Sequence, residues 1–246
     1  MLHRQITPSS SAARARAGTW RSGQGGRAAS STTAGHSTCA PGSPARGTLG
    51  TVAENRLVLA STSPQRQAIL AQLGIRFEVI PPPYEEDDET SSDAVELART
   101  HARGKARSVL PAAGGRPVLG VDTTLFLDGR TWGKPATPEE AAEMLRKLSG
   151  RTHQVVSGLC LVTEAWEELH HEVTAVHFRH LHPREIDSYV RSGEWRGRAG
   201  GYAVQGRAAA FVERVEGDFW NVVGLPAARL VELLLRRLPK LYPPGV

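Results

Sequence analysis

For its first 53 residues the chain carries no aspartate and no glutamate. That stretch holds six arginines and no lysine, and is otherwise mostly Ala, Gly, Ser and Thr. So little apolar surface cannot offset the entropy of ordering it, and a disordered tail is expected. Its formal charge is +6 against +5 for the whole chain, which leaves residues 54–246 at about −1. The basic character belongs to the tail and gives no reason to expect nucleic-acid binding from the remainder. An Arg- and Ser-rich, acid-free N-terminus also has the composition of an organelle transit peptide. An over-extended gene start or a low-complexity extension is the preferred reading.

Other absences narrow the class further. No stretch approaches the ~20 consecutive apolar residues of a membrane-spanning helix, and the tail has no signal-peptide core, so no membrane association is expected. There are only two cysteines, Cys39 in the tail and Cys160 in an apolar run. That pattern suggests neither a disulfide framework nor a zinc site, and it fits a reducing compartment such as the cytoplasm. Residues 54–246 are enough for one domain with a substantial core.

In that remainder strands and helices alternate, which makes the class α/β. Arg56–Ser61 reads as a buried strand. Pro64 then suits the first position of a helix that Ser63 would cap and Gly74 would stop. Phe77–Ile80 is a short strand closed by three prolines, and the carboxylate run YEEDD follows. Apolar spacing predicts a helix from about Asp93 to Leu110. A strand runs from Arg116-Pro117 through Leu127, and Asp128-Gly129 turns it back. Thr137-Pro-Glu-Glu140 is a capping box for a helix ending at Leu148. His153–Val162 and Val173–Phe178 are predicted as paired strands, Pro183–Arg191 as a short helix, Ala208–Val215 as a strand and Pro226–Leu238 as a closing helix.

Four islands carry candidate chemistry. The first is LASTSPQR, where hydroxyls and Arg66 begin a helix with no acid in its first turn. Helix N-termini are electropositive, so a guest anion would complete this one, although Ser-Pro also caps ordinary helices. The second pairs the carboxylates around Glu86 with Lys105; such groups can hold a divalent cation and meet a phosphate, or can simply be solvated. The third is Gly120-Val-Asp-Thr-Thr with Trp132-Gly-Lys-Pro. Asp122, read as ending the apolar run Val118–Val121, is placed to bind metal or take a proton from water, with Lys134 adding charge; an Asx turn is the bland alternative. The fourth joins Ser149-Gly-Arg-Thr-His, Glu194, GGYAVQGR and EGDFWN. Gln205 there could read an edge of a base, while His153 reads more readily as structural, and Asn221 as readily closes a turn.

In this order and spacing, LASTSP-x-R, Glu86 with Lys105-Ala106, G-x-DT…LDGR…GKP, LSGRTH, SGE…AGGYAVQG and FVERVEGDFWNVVGLP resemble the Maf family of nucleoside triphosphate pyrophosphatases, from about Leu57 to Leu238. The resemblance implies a central mixed twisted sheet flanked by helices, in two lobes with a deep cleft, of the Maf/inosine triphosphatase type. It implies hydrolysis of a nucleoside triphosphate to the monophosphate and pyrophosphate with Mg²⁺ or Mn²⁺, with dTTP, UTP or modified pyrimidine nucleotides as substrates. A homodimer is compatible with it and rests on it alone. Asp122, Lys105 and Lys134 are the implied catalytic residues, and Glu86 and Asp122 the metal ligands. Ser61, Ser63, Arg66, Thr123, Arg151 and Gln205 are the implied substrate contacts, Thr123 and Gln205 matching the dTTP/UTP branch. Two departures stand out: Gln65 replaces an arginine, and Gly197-Arg198 replaces Asp-Lys. The lost arginine favours an alternative, a nucleotide-binding regulator of cell division without significant turnover.

Overall fold

The computed structural model describes residues 56–87 and 93–242. The expected tail, residues 1–53, lies outside them, as does Asp88 of the acidic run. The described strands are β1 (Leu57–Ala60), β2 (Phe77–Val79), β3 (Val118–Leu127), β4 (Arg130–Trp132), β5 (Thr152–Val162), β6 (Glu167–Phe178) and β7 (Val212–Glu216). The α-helices are α1 (Pro64–Gln72), α2 (Ala94–Val109), α3 (Pro138–Leu148), α4 (Pro183–Ser192), α5 (Phe219–Val223) and α6 (Ala227–Arg237). The strands form one open mixed sheet in the order β2-β1-β3-β5-β6-β7, with β4 also on β3. β1 runs parallel to β2 and β3, and the other pairings are antiparallel.

Every residue of β1 and eight of the ten in β3 are buried, because helices cover both faces of the sheet there. On one face α2 packs Ala102, Ala106 and Val109 against Val58, Val118 and Cys160. On the other, α1 and α6 enclose Leu57, Leu59, Leu119, Val121, Leu159 and Leu161. Further along that second face a separate core takes over, in which α3 and α4 pack on Leu125, Leu127, Val155 and Phe178. β3 thus passes from one core into the next, and the change falls between Val121 and Leu125.

The edge of β3 is interrupted at the same place. β1 pairs only with Val118–Gly120 and β4 only with Leu125–Leu127, on the edge away from β5. The four residues Val121, Asp122, Thr123 and Thr124 face a notch with no strand beside them. A notch in a sheet lets side chains from both faces reach one space, which alternation would otherwise forbid.

Several elements differ from the sequence-based expectation. Asp122 does not end a strand; it is the fifth residue of ten in β3 and pairs with Gly158. β6 begins at Glu167, six residues before the predicted start, because its polar Glu167–Glu172 half lies on a partly solvated surface and shows no apolar alternation. The predicted strand from Ala208 is instead a 3₁₀ turn over Arg207–Phe211, with β7 beginning at Val212. The Asn221 side chain is fully buried in α5, its Nδ2 donating to Val155 O and Thr174 Oγ1, both at 3.0 Å, while its backbone carbonyl accepts from Gly224 N where that helix ends. Among the described residues no helix is long and apolar enough to cross a membrane.

Candidate active site

Two glycines fix how deeply α2 seats. A Cβ at Gly120 would collide with the carbonyl oxygen of Ala102, and one at Gly158 with that of Ala98. Their absence lets the helix backbone lie directly on β3 and β5, and that close approach carries Lys105 to the sheet. Lys105 Nζ sits 2.6 Å from Asp122 Oδ1 and 2.7 Å from Glu86 Oε1. Glu86 arrives from the loop after β2, which docks on the same helix: Tyr84 lies over Gly104 and bonds His101 Nδ1 at 3.0 Å. Lys105 and Asp122 are buried, while Glu86 is about two-fifths exposed, with a side-chain value of 43%. An ammonium has three donors, so one N–H of Lys105 remains for a ligand.

The start of α1 forms the adjoining wall. Ser63 is its N-cap residue but makes no capping bond with its side chain, and the first turn contains no acid. Arg66 is held by neutral groups: Nε donates to Gly224 O at 2.9 Å, Nη1 to Ser61 Oγ at 3.0 Å and Nη2 to Thr123 Oγ1 at 3.2 Å. Burial pulls its pKa below the ordinary arginine value, opposed by the nearby charges of Asp122 and Glu86. Three of its five N–H groups are committed and two remain. The Ser61 hydroxyl also accepts from Ser63 N at 3.2 Å, which leaves its own proton free to donate.

These groups line one cavity of about 430 Å³ at the notch, together with Ser63, Thr123, Lys134, Gln205 and Arg198. It contains four cations (Arg66, Lys105, Lys134, Arg198) against two carboxylates (Glu86, Asp122), an excess of +2, and both carboxylates rest on Lys105. Among the described residues neither Arg66, Lys134 nor Arg198 has a carboxylate at ion-pairing distance. Such a wall suits a polyanion. The Gln205 side chain is exposed into the same space and forms no hydrogen bond within the described residues.

All but one of the site residues that the resemblance implied therefore meet in one place. Arg151 does not: it lies outside the cavity, and its guanidinium pairs with Asp128 at the β3–β4 turn. The resemblance implied it as a substrate contact, but the acid of the hairpin turn holds its guanidinium instead. Glu194 of the fourth island also lies outside the cavity and accepts from Arg207 N. His153 is structural. It is buried, its Nε2 is 2.7 Å from Tyr202 Oη, and it packs edge-on against Phe178. Burial, with a smaller contribution from His177, lowers its pKa to about 3 and keeps it neutral. Arg198 and the anchoring carbonyl of Gly224 had no role assigned from sequence. The signal for the first was its place in the departure of Gly197-Arg198 from the family's Asp-Lys, and nothing in the sequence marks the second.

The sequence profile described as Maf-like protein matches residues 56–237, which is most of the chain. The chain belongs to the Maf family. Curated relatives of this Maf chain include a protein of Symbiobacterium thermophilum called dTTP/UTP pyrophosphatase, 45% identical over 179 residues. A protein of Aquifex aeolicus with the same name is also 45% identical over 179 residues. The two alignments cover 73% of this chain and 92% and 94% of the relatives, so the likeness spans nearly the whole of each relative. The Maf region coincides with the described fold and contains every cavity residue named above.

Proposed function

We propose that this chain hydrolyses nucleoside triphosphates, with dTTP and UTP as the substrates its relatives' names point to, yielding the monophosphate and pyrophosphate. The observation that carries the reading is the Lys105–Asp122–Glu86 contact inside a cavity with surplus positive charge. Arg66, Lys134 and the uncapped N-terminus of α1 take the phosphate oxygens. Asp122 orients a water and accepts its proton as the water oxygen bonds to phosphorus at the α,β-anhydride. The bridging P–O bond breaks, and the electron pair leaves with pyrophosphate. Lys105 sits beside the charge that develops and holds Asp122 in place. The neutral amide of Gln205, in the same cavity as Thr123, is suited to the carbonyl and N–H edge of a pyrimidine.

The donor set fits a hard divalent cation. Glu86 and Asp122 each place one oxygen on Lys105, which leaves the second oxygen of each as a candidate ligand. Among the described residues no group of three or more His, Cys, Asp or Glu is placed to hold a metal. Mg²⁺ commonly takes one or two carboxylates plus substrate phosphates, so a pair suffices. Bound there, the ion would neutralise phosphate charge.

The reading is tested with a panel of triphosphates, pyrophosphate and monophosphate being identified as products with Mg²⁺ or Mn²⁺ present. Asp122→Asn should lower kcat by about 10²-fold or more while leaving the thermal unfolding transition cooperative. A variant that turns over dTTP at the wild-type rate removes Asp122 from the mechanism. Tight triphosphate binding without pyrophosphate release by the unaltered protein would instead favour a nucleotide-sensing regulator.

A further inference from the structure

Arg198 reaches the cavity from a turn that is fixed independently of it. Gly197, Gly200 and Gly201 all adopt positive φ (70°, 68° and 70°), a backbone course that side-chain-bearing residues resist. Gly200 N donates to Gly133 O at 3.0 Å, which ties this turn to the segment bearing Lys134, and Arg198 N donates to the carbonyl of the buried Trp195 at 3.2 Å. The guanidinium then meets the first turn of α1. With the Gln65 amide turned so that its nitrogen donates to Ser63 Oγ (2.9 Å), its oxygen accepts from Arg198 Nη1 (2.6 Å) and Nη2 (3.2 Å). Arg198 Nε is buried and has no acceptor among the described residues.

The chemistry of this contact is selective. A neutral amide can orient a guanidinium but cannot discharge it, whereas a carboxylate at the same place would quench it and a second cation would repel it. The charge is thus kept, the fork is aimed, and one buried donor still lacks an oxygen. The contact lies at the end of α1 that has neither acid nor side-chain cap. Hydrogen bonds through Gln65, Ser63 and Ser61 join it to Arg66, so two arginines bracket that helix end. Arg66 feels Asp122 and Glu86 through space, while Arg198 contacts neither carboxylate.

We propose that Arg198, positioned by Gln65, binds the two phosphates that leave as pyrophosphate. The assignment rests on the triphosphate hydrolysis argued above and adds the residue that holds the leaving end of the substrate. Arg198 is the binding residue, and Gln65 acts through it.

Binding of inorganic pyrophosphate and of dTMP to the purified full-length protein, measured by calorimetry without turnover, tests this directly. Arg198→Gln should weaken pyrophosphate by about 10-fold or more, as expected for a charged hydrogen bond, and leave dTMP within about twofold. Arg198→Lys should retain part of the pyrophosphate affinity. Gln65→Glu leaves Arg198 in place but pairs it, so it should weaken pyrophosphate and spare dTMP; a purely structural defect would weaken both. Unchanged pyrophosphate affinity in Arg198→Gln, or equal losses for the two ligands, overturns the proposal. Should the unaltered protein bind pyrophosphate through Arg198 yet fail to hydrolyse any triphosphate, the hydrolase reading falls and with it the leaving-group role, and only Arg198 as a diphosphate-binding residue stands.

Discussion

Single residues in this protein divide by what surrounds them rather than by type. Lys105 and Lys134 are both cavity lysines, but only Lys105 is buried, and it has two carboxylates. A buried ion pair is weak evidence for stability, because desolvation offsets much of the attraction. Lys105 and Asp122 are better understood as a functional arrangement that the seating of α2 makes tolerable. His153 makes the opposite case, a titratable group held out of chemistry. Its pKa of about 3 lies below the ordinary 6.5, so above pH 6.5 folded and unfolded chains are both neutral there. Below it the unfolded chain takes up a proton that the folded chain refuses. Stability attributable to His153 is therefore lost as pH falls from 6.5 toward about 3, by up to about 1.4 kcal/mol for each pH unit. Denaturant titrations at several pH values should show a shallower acid loss for His153→Gln than for the unaltered chain; identical slopes would contradict the assignment.

At the scale of elements, the decisive contact is helix on sheet. At Gly158 and Gly120 the backbone of α2 lies directly on the strands beneath, so Gly158→Ala must push the Ala98 carbonyl away. Overpacking of this kind typically costs about 1–3 kcal/mol. It should also separate Lys105 from Asp122, so a lowered melting temperature should come with reduced activity in the folded fraction. Both glycines were visible in the sequence, but their purpose was not, since it depends on which helix crosses which strand. The same limit explains the rest. α2, α3 and the β3–β4 turn were legible because apolar spacing, caps and Asp-Gly are local signals: Thr137 accepts the expected bond from Glu140 N, although the Glu140 carboxylate accepts from Ala136 N and so does not close the expected box, and Asp128 and Gly129 take φ of 54° and 73°. The front half of β6 was not legible, because its side chains Glu167–Glu172 are polar and it is held by backbone pairing with β5 rather than by an apolar face. The cavity residues were legible through family resemblance; local pattern alone left each with an ordinary explanation. Arg151 shows the limit of carrying a motif over by resemblance, since it lies outside the cavity and pairs with the surface acid Asp128.

At the scale of the whole molecule, one sheet joins two cores, one built around α1 and α6 and the other around α3 and α4. The gap along β3 between β1 and β4 is where they adjoin, and there the rungs of the ladder continue only on the β5 side. Arg66 belongs to the α1 side, whereas Lys134 and Arg198 come from segments just beyond β4 and α4. A polyphosphate gripped by all three would act as a brace spanning the missing rungs. Occupancy should then register as heat resistance: a non-hydrolysable triphosphate analogue at 100 times its Kd adds about 2.7 kcal/mol to the folded state. Differential scanning calorimetry would show it as a rise in the melting temperature, and amide exchange at Val121–Thr124 would slow in step. What secondary structure leaves open at that point, cargo would close, so the same unpaired edge that admits the nucleotide would make the protein sturdiest while it is at work.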